Sequence, residues 1–340
     1  MSSGSIFFEP RASLNRGEMM TIVREGLLGF VLALALGVAA SLIAKEIKGL
    51  DPLVAAVVLG MLASVAINAR EKVYFKVLPG IILAQSIFIP IGIALYGKNL
   101  ELKVMLNSSP WLFLQVVGIT ALTFVFMFWL GKLFGFNERM RYLLGFGSAI
   151  CGASAIAIAS PILESEPNDT ATGLVDNTIA AVISMYLLSA FVLPHVLPRD
   201  FAAAAGTLLH QTGFVKMTLA HEVKDILEFG VVVKSLRVVL LVLAIPAVSY
   251  LIRKRIYVPW YMVLFLVVAV IFSYVPMRSQ VSKSVTTFYE ICFTAALVSI
   301  GMNANPLHVL KRLFKPLVLI MLVFALDLGL WWFTHGLIHY

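Results

Sequence analysis

Residues Leu143–Ile162 read LLGFGSAICGASAIAIASPI, and this stretch decides the fold. It is apolar enough to lie inside a bilayer, yet it is crowded with Gly, Ala and Ser and closed by Pro161. A helix built only to cross lipid has no use for Gly147, Ser148, Gly152, Ser154 and Ser160, which weaken the helix and bring hydroxyls and bare backbone to membrane depth. Such backbone is tolerated there only where protein packs on it or where it lines a cavity. The stretch therefore predicts an interrupted helix of the kind from which secondary transporters build a substrate site. The competing reading is a small-residue face packed tightly on a neighbouring helix.

The rest of the chain agrees with a membrane setting. Of 340 residues, 60% are hydrophobic and only 13% charged, which excludes an ordinary soluble domain. A span needs about 20 apolar residues. Eleven candidates run over 26–44, 52–68, 78–97, 111–131, 143–162, 171–194, 201–220, 229–252, 258–275, 287–303 and 317–338. The expected fold is an all-α integral membrane protein of about 11 transmembrane helices in one domain, 25–340, after a polar cytosolic tail, 1–24. That tail has three arginines and no small-residue cleavage site, so it does not read as a signal peptide. The seventh segment is weak because His210, Gln211 and Lys216 interrupt it.

The net charge of +8 does not point to nucleic acid, because the basic residues are scattered over loop ends. With eleven crossings, 16 of them fall on the N-terminal side and 8 on the other. The positive-inside rule then predicts a cytoplasmic N-terminus and an external C-terminus in the cell membrane. Cys151 and Cys292 lie in different spans without metal-ligand spacing. There is no phosphate loop, zinc-protease motif or nucleophile elbow, so no enzyme activity, metal or cofactor is expected.

An internal echo points the same way. IALYGKNLELKVML, from Ile93, resembles LVSIGMNANPLHVL, from Leu297, with Gly97 and Asn99 matching Gly301 and Asn303. Each copy is followed by a proline (Pro110, Pro316) and a long apolar run, and DPLVAAVVLGM and PWYMVLFLVV precede them. Seven crossings separate the copies, so they run in opposite directions, as an inverted repeat requires. No clean inverted partner for 143–162 emerges, since the interrupted seventh segment would run parallel to it if both span fully.

Polar residues at depth supply the candidate site. Lys234 and Arg237, three apart in EFGVVVKSLRVVLLVLAIPAV, share one helical face. Two cations without an acid in their own helix suit an anion, Arg with its fork and Lys with its compact charge. They could instead balance Asp327 in the last span. His210 could carry a proton or hydrogen-bond the substrate. Asp176 and Asn177 read as a cation site or an aqueous rim, Glu290 as interfacial, and Glu164, Glu166 and Asp169 as an acidic external loop.

Together these segments resemble the YeiH-type family of prokaryotic membrane proteins that carry a sulfate-exporter label. The resemblance rests on LDPLVAAVVLGM, PGIILAQSIFIPIGIALYGKNLEL, SAICGASAIAIASPI, VVKSLRVVLL, PWYMVLFLVV and ALVSIGMNANPLHVLKRLFKPLVL, in order along nearly the whole chain. At fold level the family is similar to the bile-acid, arsenite and riboflavin transporter superfamily, which implies crossed, broken helices. The resemblance places Cys151, Gly152, Ala153 and Ser154 at the break and makes Lys234 and Arg237 the intramembrane basic pair. It also matches His210 to a histidine 24 residues before that lysine. Where the family carries an acid after the histidine, this chain has Gln211, and Phe214 replaces a later glutamine. That departure implies a different coupling or substrate.

The expected function is a secondary transporter for a small anion, such as sulfate, a related oxyanion or a sulfonate. Lys234, Arg237, His210, Ser148, Gly152, Ala153 and Ser154 would bind it, and Asp176, Asn177 and Asp327 would serve coupling or charge balance. The rival readings are a cation-coupled organic-anion symporter, a passive anion channel and a membrane sensor or assembly subunit that transports nothing. The expected partners are the anion and the lipid bilayer, with homo-oligomerisation left open.

Overall fold

The computed structural model describes residues 16–47, 50–68, 71–100, 109–254, 258–275 and 277–336. They form α1 (Arg16–Glu46), α2 (Pro52–Asn68), α3 (Glu71–Tyr96, closed by a 3₁₀ turn Gly97–Asn99), α4 (Pro110–Leu133), α5 (Glu138–Phe146) and α6 (Ala153–Leu163). There follow α7 (Pro167–Phe191), α8 (Pro198–Leu208), α9 (Thr212–Thr218), α10 (Lys224–Val239) and α11 (Leu241–Arg253). The chain ends in α12 (Trp260–Tyr274), α13 (Ser279–Asn303), α14 (Pro306–Arg312) and α15 (Phe314–His335). No strand occurs among the described residues. Helices α2, α4, α7, α8 and α14 open on a proline, whose missing N–H is one that a first turn leaves unpaired anyway. The expected tail lies mostly outside the described residues, and α1 already begins at Arg16.

All eleven apolar segments are helical, but two of them do not cross. In 143–162 the chain turns back. Arg139, at the start of α5, donates through Nη1 to the carbonyl of Glu164 just after α6, at 2.7 Å. A continuous helix would hold residues 25 apart by nearly 40 Å. Deeper in, a Cβ at Gly173 would touch both Leu143 and Ile156, so the two arms lie side by side. The segment 201–220 does the same from the other face. Gly230 sits against Ala202 of α8 and Leu219 just after α9, bringing the two ends of that hairpin to one level.

Among the described residues nine crossings remain: α1, α2, α3, α4, α7, the bent pair α10–α11, α12, α13 and α15. Seven segments have the length and composition to cross, and the shorter α2 and α12 complete the set. Side-chain ties fix the faces. Asn305 N donates to Asn168 Oδ1 at 2.6 Å and Arg312 pairs with Asp169 at 3.4 Å, so the end of α13 shares a face with the start of α7. Gln115 Nε2 donates to Thr334 Oγ1 at 2.8 Å, placing the start of α4 with the end of α15 on the opposite face.

Losing two crossings preserves parity, so the described ends of α1 and α15 still lie on opposite faces. Two expectations change. The Glu164–Asp169 loop, expected on the face opposite the N-terminus, belongs to the N-terminal face, and Arg199 moves to the opposite face. The excess of basic residues on the N-terminal face survives that single move. The hairpins also supply the missing inverted partner, because they enter from opposite faces.

The internal echo has a packing cause. Gly97 leaves no room for a Cβ beside the Phe265 carbonyl of α12, and Gly301 leaves none beside the Val57 carbonyl of α2. Each glycine lets the short helix of the other half approach backbone to backbone. Thus α2 packs on α13 while α12 packs on α3, the exchange an inverted repeat demands.

A cysteine introduced at Ser165 should react with an impermeant thiol reagent from the same side as one at Lys254, and one at His221 from the other side. Reaction of positions 165 and 254 from opposite sides would restore a full crossing by 143–162.

Candidate functional site

The two hairpin tips meet inside the bundle. At the first, α5 runs into a π-helical turn, Gly147–Cys151, that ends at Gly152. Gly152 has φ 72° and ψ −127°, a region that side chains with a Cβ avoid. At the second, α8 ends at Leu208, Leu209 and Gln211 are extended, and α9 resumes at Thr212. A Cβ at Gly152 would collide with the Gln211 side chain and lie 3.0 Å from Asn177 Oδ1 of α7. Gly152 is thus the contact point of both tips and α7.

Arg237 joins the tips. Its Nε donates to Ala149 O at 2.6 Å and its Nη2 to Ser148 O in the first tip. Its Nη1 donates to Thr207 O and, at 3.2 Å, to Leu209 O in the second. These carbonyls end the first arms of the hairpins, where a helix leaves its last C=O groups unpaired and carries a partial negative charge of about −0.5. Two such ends together offset roughly one guanidinium charge. Lys234, one turn earlier on α10, donates through Nζ to Leu209 O at 2.5 Å. Both side chains are buried. The basic pair that read as free for an anion is spent on backbone carbonyls.

The other expected residues gather around this junction. Ser148 Oγ accepts from Asn177 Nδ2 at 3.3 Å, and Gln211 Nε2 donates to Thr178 Oγ1 at 2.7 Å. Asp176 is fully buried and neither of its oxygens has a hydrogen-bond partner, so the aqueous-rim reading fails. His210 is buried with its ring 6.2 Å from that of Phe324, and its Nδ1 is unpartnered. Asp327 accepts from Thr123 Oγ1 at 2.8 Å, and among the described residues no hydrogen bond or ion pair joins it to Arg237.

A cavity of about 900 Å³ reaches the tips from the face opposite the N-terminal one. Cys151, Ser154, Gln211 and Thr212 form its floor, Tyr96 and Phe293 line its wall, and Lys98, Lys216, Asp51 and Glu290 surround its mouth. Of the expected substrate residues only Ser154 lines it; Lys234, Arg237, His210, Ser148, Gly152 and Ala153 lie behind. The sequence reading missed Tyr96 and Ser235, which also line the cavity. Tyr96 directly precedes the Gly97-x-Asn99 echo, and that position was its available signal. Among the described residues no cluster of His, Cys, Asp and Glu could hold a metal ion.

Among the described residues, seven long and two shorter apolar helices around two opposed re-entrant hairpins define a polytopic helical membrane protein with a polar centre inside the bundle. The chain belongs to the family described as Conserved hypothetical protein 698, which matches residues 28–320. A UPF0324 membrane protein of Archaeoglobus fulgidus is 30% identical over 302 residues, 88% of this chain and 89% of that protein. UPF0324 membrane proteins of Staphylococcus aureus and Staphylococcus epidermidis are 26% and 27% identical, covering 72% and 71% of this chain and 76% of each relative. No solved structure matches.

Two outcomes follow from the junction. Arg237→Gln leaves several buried carbonyls without donors, each worth about 1–3 kcal/mol, so thermal melting in detergent should show a loss of about 3 kcal/mol or more. Adding Asp327→Asn should not restore it; full rescue would make Asp327 the true partner. Gly152→Leu should insert into the membrane but lose the contact between tips, and a melting profile equal to that of the native chain would reduce Gly152 to ordinary packing.

Proposed function

We propose that the protein is a secondary transporter of a small anion across the cytoplasmic membrane, with its N-terminal face inside. One observation carries the reading: the cavity floor is formed by the two hairpin tips, with the start of the eleven-residue α6 opening on it at Ser154. A helix start presents unpaired N–H groups and a partial positive charge, which together favour an anion. Ser154, the second residue of α6, and Thr212, just past the second tip, both line the cavity. Arg237 and Lys234 act from behind as positioning residues that hold the two tips toward the cavity.

Alternating access is supported by the asymmetry of the two faces. Toward the N-terminal face, Asn137 Nδ2 donates to Asp169 Oδ2 at 3.1 Å and Arg312 pairs with Asp169, tying the first hairpin, α7 and α14 together. The opposite face is open through the cavity. Releasing the Asp169 ties while closing the mouth would expose the same floor to the other side.

Sulfate and related oxyanions fit the charge of the site. A volume of about 900 Å³ also accommodates an organic anion such as a sulfonate, since ligand pockets of roughly 300–1,000 Å³ hold drug-sized molecules. Proteoliposomes offered labelled sulfate, sulfite, sulfonates and carboxylates under imposed gradients separate these cases. Saturable, gradient-driven flux is expected, with Ser154→Ala raising the half-saturating concentration several-fold. Ungated conductance would make the protein a channel, and silence across the panel would remove the transporter reading.

A further inference from the structure

The junction behind the cavity floor contains buried acceptors that no donor meets. Asn177 and Gln211 each commit their amide N–H to a neighbour, Ser148 and Thr178 respectively, which leaves Asn177 Oδ1 and Gln211 Oε1 as the free ends. Both oxygens are buried without a partner, as are both oxygens of Asp176. Asn177 and Asp176 are fully buried and Gln211 nearly so. The Asn177 oxygen and the Gln211 side chain converge on Gly152, where a Cβ would meet both. Asp176 adjoins Asn177 and shares the face of α7 that Gly173 turns to the hairpin arms, being three residues along the helix.

Unpartnered acceptors of this kind are costly at membrane depth. A proton on Asp176 would serve one oxygen and leave the two amide oxygens unanswered. A divalent ion is normally held by several carboxylates, and here there is one. Neutral amide oxygens with a single carboxylate match a hard monovalent cation in both charge and ligand type. The nearby Arg237 and Lys234 are directed at the carbonyls of the two tips, with the negative ends of the first arms facing them, and Asp176 supplies the remaining negative charge.

We propose that the crossing of the two hairpin tips with α7 binds a hard monovalent cation, with Asn177 Oδ1 and Gln211 Oε1 as ligands and Asp176 as the counter-charge. Because α7 supplies Asn177 and Asp176 and the second hairpin supplies Gln211, the ion can occupy the site only when the second tip is seated on α7. Cation binding then stabilises one arrangement of the hairpins, which is how a coupling ion biases a transporter. The site stands on the buried acceptors themselves, and cation binding without anion flux would leave it intact while removing the transporter reading.

The test uses the full chain in detergent, titrated with NaCl against choline chloride and KCl at constant ionic strength. Sodium should raise the melting midpoint with the logarithm of its concentration, by about 4 °C near a hundredfold excess over its dissociation constant, and labelled sodium should bind saturably, in competition with unlabelled sodium but not with choline. Asp176→Asn and Gln211→Leu should each raise the half-saturating sodium concentration at least tenfold. Gln211→Glu, which keeps an oxygen and adds charge, should lower it, and this variant decides the matter if the other two do not fold. The proposal is overturned if sodium and choline act alike on the native chain or if the half-saturating concentration is unchanged in Gln211→Leu. It is equally overturned if Gln211→Glu binds no more tightly than the native chain.

Discussion

A helix that stops in the middle of a membrane leaves carbonyl groups that water cannot reach, and this protein has two such helices ending at one place. The guanidinium of Arg237 answers both. Its planar fork directs donors toward carbonyls from opposite hairpins at once, which a point-charge ammonium could not do. The position of each tip follows from that bridge, and so does the direction of the second arms, whose starts face the cavity. Lys234 adds a bond to Leu209 O, anchoring the second tip to the same helix. The bridge is an obligation imposed by the bilayer, since no other solvent is available to the broken ends.

The bridge also explains why the hairpins carry such small residues. Ala149, Ala153, Ala155, Ala157 and Ala159 in the first, and Ala202–Ala205 with Gly206 in the second, are buried. Two arms of a hairpin plus the helices around them must fit in the cross-section of a bundle, so side-chain bulk is minimised where backbones crowd. Phe201 and Trp331 are the bulky buried members of the cluster around the second hairpin.

Much of this was legible in the sequence, and the failures are specific. The Gly-Ser-Pro composition of 143–162 announced an interrupted helix, and the Gly97 and Gly301 echo announced inverted halves that the structure places backbone to backbone. Direction was not legible. A re-entrant hairpin and a broken crossing have the same length and hydropathy, so both hairpins were counted as spans, and their inverted relation was hidden with them. The role of Arg237 was equally hidden, because its acceptors are main-chain carbonyls that leave no mark in a sequence. Asp176 read as a rim residue for its nearness to a polar loop, yet it lies nine residues into α7, roughly 13 Å along the axis.

The most direct measurement of the meeting of the tips is a crosslink between them. Cys151 already sits in the first tip, so a chain with Cys292→Ala and Gln211→Cys places one thiol in each, and a protease site inserted at Val196 allows the two halves to be separated. A short bifunctional thiol reagent should keep the halves joined after cleavage, and only when both cysteines are present. Halves that separate regardless of the reagent would contradict the account, because the tips would then not meet and Arg237 could not bridge them.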